Sequence, residues 1–216
     1  SAFAALTPGA ALFVRAGRYY EGELEAPKGG APDAPIVIRS YPGEQPIVDC
    51  AYPELETSTP WKREAEGIYN TPLANMSWNV TLENLATGDY SRCYPLRTKE
   101  ELILGRSAGK TFAQLGFTGA YHWDGARLHL RLPQGEISQY RVHVSKYQTA
   151  LHIEARGYLF LDGLEFRHAA EEAVLLQEAS ENVLQRCRVL YCGAGVRVRG
   201  SSSNNTLQDS LFQDDT

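Results

Sequence analysis

Two pairs of adjacent carboxylates stand in the last third of the chain, Glu171-Glu172 and Asp214-Asp215. Neighbouring acids of this kind can share acid and base work in breaking a bond, or hold a hard cation such as Ca²⁺ through oxygen ligands. They are also ordinary surface residues of a turn. His168, three residues before the first pair, is a candidate general base on the same stretch. A second set is mixed in charge: His152, Glu154 and Arg156, then Leu175 and Gln177, then Arg197 and Arg199. Arginine forks on one face could hold the carboxylates or hydroxyls of an extended ligand. Read as surface, the same residues keep a solvated face soluble.

A repeat ties these residues together. Slid along itself by 23 residues, the stretch from Gly157 to Thr216 matches itself twice. Leu161, Leu184 and Leu207 share one column, Leu164, Cys187 and Ser210 the next, and Phe166, Val189 and Phe212 another; Asp162, Gln185 and Gln208 line up beside them. Short β-rich runs alternate with small turns inside each unit, which suits a parallel β-helix better than a helical solenoid. Aligning Leu151 with Val174 and Val196 turns those three inward and sends His152, Glu154, Arg156, Arg197 and Arg199 outward. Equivalent residues of successive coils then stack about 4.8 Å apart. Glu171-Glu172 and Asp214-Asp215, two coils apart, would stand roughly 9 to 10 Å from each other, at the upper edge of an inverting glycosidase pair. Gly193-Ala194, in the turn between them, would leave space.

The expected fold is all-β: a right-handed parallel β-helix with an inserted β-rich subdomain. Residues 1–50 supply the first coils, 51–147 the insert and 148–216 the later coils. In the first coils Leu12 and Val14 should face in, with Phe13 and Arg15 facing out. The insert breaks the 23-residue rhythm and holds all three tryptophans, Trp61, Trp78 and Trp123, expected in its core. Thr98 with Glu101 predicts a capped short helix. Asp124-Gly125 predicts a hairpin turn, with Leu128, Leu130 and Leu132 alternating against His129 and Arg131.

The run from Leu12 to Gly22, then Ala34 to Asp49, resembles the opening coils of right-handed parallel β-helix proteins of the pectate-lyase-like superfamily. Gly157 to His168 is similar to their rung pattern, and the Ala120–Pro133 hairpin resembles an insert near the start of some β-helix glycoside hydrolases. The resemblance implies a carbohydrate substrate and favours a glycoside hydrolase. A polysaccharide lyase, or a non-catalytic glycan-binding or assembly module, is the alternative. It also implies a secreted or periplasmic setting. Asp214-Asp215 is similar to the acid pair of polygalacturonase-like enzymes, but the companion motifs are absent and that role is not carried over.

The formal charge of −5 gives no polyanion-binding signal, so no nucleic-acid partner is expected. No apolar run approaches 18 residues, and no membrane partner is expected. No cofactor is expected, with Ca²⁺ at the acid pairs as the alternative. The four cysteines lack metal-ligand spacing and read as buried thiols, with a disulfide as the alternative. The chain stops in mid-coil, so a second copy, another subunit or further coils are expected over the last coil.

Overall fold

The structure, a computed structural model, describes residues 2–26 and 28–213. Each coil carries up to three short strands, and strands of successive coils pair in parallel to build three sheets. The first sheet stacks Ala11–Val14, Ile36–Ser40, Leu159–Asp162, Val183–Gln185 and Thr206–Gln208. The second stacks Gly17–Tyr19, Pro46–Asp49, Glu165–Arg167, Arg188–Leu190 and Leu211–Gln213. The third stacks Leu24–Glu25, Leu151–Glu154, Glu172–Gln177 and Ala194–Arg199.

Inward columns form the core. Leu12, Ile38, Leu161, Leu184 and Leu207 are register partners in turn. Val48, Phe166, Val189 and Phe212 stack in the second sheet, and Leu24, Leu151, Val174 and Val196 in the third. Each fully buried side chain of this kind contributes about 1.5–3 kcal/mol. Phe13 faces out, as its alternation with Leu12 and Val14 requires.

The corners repeat as faithfully as the strands. Left-handed backbone occurs at Ala155 and Glu178, at Tyr158, Glu181 and Asn204, at Arg186 and Asp209, and at His168 and Tyr191. Within each group the residues are one coil apart. Such conformations cost roughly 1–2 kcal/mol per residue, and bonds between coils offset that cost. Asn205 Oδ1 accepts from Asn182 N at 3.1 Å, and Asn182 Oδ1 accepts from Leu159 N at 3.1 Å. Gly193 tightens another corner. A Cβ there would meet the Ala170 carbonyl oxygen at 2.3 Å, so the glycine admits the backbone of the preceding coil instead of leaving space.

Residues 1–51 with 146–216 form one compact unit and residues 52–145 another. In the first unit the coil interrupted after Ala51 is closed by Lys146 N donating to Cys50 O at 2.7 Å. The second unit holds a five-stranded, mainly antiparallel sheet and a three-stranded antiparallel one. Its α-helix Lys99–Leu104 has the expected capping box between Thr98 and Glu101, and Gly105 closes it in left-handed conformation. Trp61 is buried and Trp123 packs against the same cluster, whereas Trp78 is 54 % exposed, contrary to its expected place in the core. Cys50, Cys93, Cys187 and Cys192 are all buried, and none is in a disulfide.

Candidate functional site

The outward face of the third sheet gathers most of the mixed-charge set. Parallel register places Glu25, His152, Leu175 and Arg197 in one outward row, and Glu154, Gln177 and Arg199 in the next. Gln177 Nε2 donates to Glu154 Oε1 at 2.9 Å across adjacent coils. A cavity of about 270 Å³ is lined by Glu25, Ala26, His152, Glu154, Ala155 and Arg156. Inside that lining His152 Nε2 is buried and has no hydrogen-bond partner. A second cavity of about 460 Å³ shares Ala155 and Arg156 with the first and continues past Tyr158, Glu178, Ser180 and Glu181. Among the described residues Arg156 makes no ion pair; its one side-chain hydrogen bond runs to the carbonyl of Ala155 at 3.1 Å.

Glu25 was not singled out in the sequence. Its strand is two residues long, and the insert separates it from its register partner His152, so the 23-residue period does not reach it.

Arg197 and Arg199, expected as substrate contacts, both lie against one buried carboxylate while staying partly exposed. Arg197 Nε lies 2.8 Å and Arg199 Nη2 3.4 Å from Glu172 Oε1, and Thr149 Oγ1 donates to Glu172 Oε2 at 3.2 Å. Glu172 is only 2 % exposed and opens the strand Glu172–Gln177, whereas Glu171 is exposed in the bend before it. The adjacent acids therefore do not form a pair in the turn: one meets solvent and the other is covered by two guanidinium groups. Asp214 and Asp215 lie outside the described residues.

His168, the candidate general base, is enclosed. It is 1 % exposed, with Nδ1 3.0 Å from Asp49 Oδ1, and its ring stacks on Tyr191 at 5.8 Å. Arg18 Nε donates to Asp49 Oδ2 at 2.7 Å and Ala51 N to Asp49 Oδ1 at 2.9 Å. Burial alone would raise the Asp49 pKa; the bond from His168, its charge and that of Arg18 together hold it well below the usual carboxylate range. This is a buried network one sheet away from the cavity, and it ties the second coil to the third.

Two further histidines, also unforeseen, lie in the insert unit. His129, expected to face out opposite Leu128 and Leu130, is 2 % exposed and sits between Glu64 (Nδ1, 2.8 Å) and Asp124 (Nε2, 2.9 Å). His143 is 1 % exposed and sits between Glu56 (Nδ1, 3.0 Å) and Glu83 (Nε2, 3.3 Å). In each case a carboxylate lies within hydrogen-bond distance of each ring nitrogen. The His143 bond, with the Arg141 charge, brings the Glu83 pKa down to about 2 against the opposing effect of burial. Both histidines are buried and bridge carboxylates from separate segments of the unit. Among the described residues no group of three or more His, Cys, Asp or Glu is arranged to hold a metal ion, and no helix is long and apolar enough to cross a membrane.

The coil geometry has counterparts among solved structures. The structure of XylC with xylose matches 95 % of this chain and 50 % of its own, with a TM-score of 0.61 and 11 % identity. The fold is a right-handed parallel β-helix. Pectate lyase Pel9A matches 97 % of this chain and 32 % of its own at 12 % identity, with a TM-score of 0.47. The chain thus spans about half the length of XylC and about a third of Pel9A. No family model and no curated protein matches the sequence.

Proposed function

We propose that the chain is part of a carbohydrate-active β-helix protein, a glycoside hydrolase that takes its glycan along the outward face of the third sheet. The observation that carries this is the first cavity, in which His152 and Glu154 meet Glu25 on one rigid parallel ladder and Arg156, just past the corner at Ala155, completes the lining. Parallel strands with packed inward partners hold such side chains more firmly than a loop does. Carboxylates, an imidazole and a guanidinium together supply the acceptors and donors that a sugar's hydroxyls need, and carboxylates supply the acid and base of glycoside hydrolysis. The likeness to XylC, solved with xylose, makes xylo-oligosaccharides the first glycans to try.

A lyase would have to neutralise a uronate's charge with Arg or a cation, yet carboxylates outnumber cationic groups along these cavities, and Arg197 and Arg199 are held on Glu172. Incubation with xylan and with polygalacturonate separates the alternatives. Hydrolysis yields new reducing ends from xylan without ultraviolet absorbance. An absorbing unsaturated product from polygalacturonate would establish the lyase, and binding without turnover a glycan-binding module.

A further inference from the structure

Glu25 and Glu154 leave the same face of the third sheet on adjacent coils, two residues apart along the strand direction. Neighbouring parallel strands are about 4.8 Å apart and two residues span about 6.6 Å, so their Cα atoms stand about 8 Å from each other. Both line the same cavity, with His152 beside Glu25 and Arg156 also in the lining. Side chains leaving one face in parallel keep roughly the spacing of their backbones, which is within reach of the roughly 6.5–9.5 Å that an inverting glycosidase holds between its two carboxyl groups.

We propose that Glu25 and Glu154 are the catalytic carboxylate pair of this site, and that the glycan they act on is uncharged and crosses Arg156 from one cavity into the next. This rests on the hydrolase reading above and goes beyond it in naming the pair, the substrate charge and the course of the chain. One carboxylic acid gives its proton to the glycosidic oxygen as the C–O bond breaks. The other carboxylate takes a proton from the water whose oxygen bonds to the anomeric carbon. The net change is one water consumed and one bond cleaved, with both side chains returned to their starting forms by proton exchange with solvent. Gln177 holds Glu154 Oε1 and so orients that carboxylate.

The charge argument extends to the second cavity. Glu25 and Glu154 line the first cavity and Glu178 and Glu181 the second, against the single guanidinium of Arg156 they share. A polyuronate would bring like charge against these four carboxylates. A neutral glycan brings hydroxyls, which both carboxylates and guanidinium can bond.

The test uses the full chain with xylo-oligosaccharides, comparing the wild type with E25Q and E154Q. Both side chains are exposed, so the isosteric amides should leave the circular dichroism spectrum and melting temperature unchanged. Each variant is expected to lose at least about 100-fold in kcat with KM little changed, the size of a lost general acid or base. An aryl glycoside with a good leaving group should restore turnover to the variant lacking the acid and not to the other. Wild-type hydrolysis with either variant at full activity would overturn the pair and leave the hydrolase reading standing. Tighter binding of oligogalacturonate than of xylo-oligosaccharide would overturn the neutral-substrate assignment. If the wild type neither binds nor cleaves any glycan, both fail together.

Discussion

The side-chain amide of Gln177 reaches across one coil step to donate to Glu154 at 2.9 Å. That bond links a position on the third coil to a candidate catalytic group on the second. Gln177→Ala should therefore lower kcat about tenfold through a misplaced carboxylate, with KM nearly constant, while leaving the fold intact. Steady-state kinetics on xylo-oligosaccharides reads the split. An equal fall for an apolar replacement at the neighbouring outward position Leu175, or a change in KM alone, would show that Gln177 only shapes the surface.

Glu172 has a different task. Its buried carboxylate accepts from Thr149 and lies against Arg197 and Arg199, both of which are partly exposed and can be rehydrated. Glu172→Ala should cost about 1–3 kcal/mol, the loss of charge-assisted bonds, instead of the larger penalty of a fully buried orphan charge. Urea unfolding measures it. Loss of activity without loss of stability would move Glu172 back among the catalytic candidates.

Gly193 is required by contact rather than by backbone torsion. The Ala170 and Glu171 carbonyl oxygens would lie 2.3 and 2.8 Å from a Cβ placed there. Gly193→Ala should destabilise by roughly 1–3 kcal/mol, as overpacking does, and thermal melts compare it directly with the wild type. A neutral or stabilising result would mean that the coil corner yields more readily than its hydrogen bonds suggest.

The insert carries its own acid sensitivity. The pKa of Glu83 is lowered to about 2 in the folded protein, first by the His143 bond and then, against burial, by Arg141 and His143 charge and by Tyr90. A group depressed in the folded state stabilises above its unfolded pKa and loses that contribution as pH falls towards the folded value. The loss from Glu83 should therefore run from about pH 4.5 down to about pH 2. Glu83→Gln should be less stable than the wild type at neutral pH and should flatten the acid limb in this window. Denaturation midpoints measured across it check the sign; a variant curve parallel to the wild type would contradict it.

The coils were legible because a period of 23 residues puts the same side chain type in the same place each time. Leu161, Leu184 and Leu207 announce their column, and fixing Leu151 against Val174 and Val196 fixes the face of His152, Glu154, Arg197 and Arg199. Contacts that cross the period were not legible. Glu25 meets His152 only after the insert is looped out, and Asp49 meets His168 for the same reason. His129 fits the alternation of an exposed strand position, yet Glu64 and Asp124 close over it from elements that alternation does not describe. Glu171 and Glu172 look alike in sequence, and a strand beginning between them sends them to opposite fates.

The stereochemistry of cleavage tests the paired-carboxylate account most directly. Proton NMR of the first product released from a xylo-oligosaccharide, recorded before mutarotation, shows which anomer forms. Parallel side chains on backbones about 8 Å apart, as at Glu25 and Glu154, predict inversion. Product that keeps the substrate's anomeric configuration would contradict the account, because retention needs carboxyl groups only about 5–5.5 Å apart.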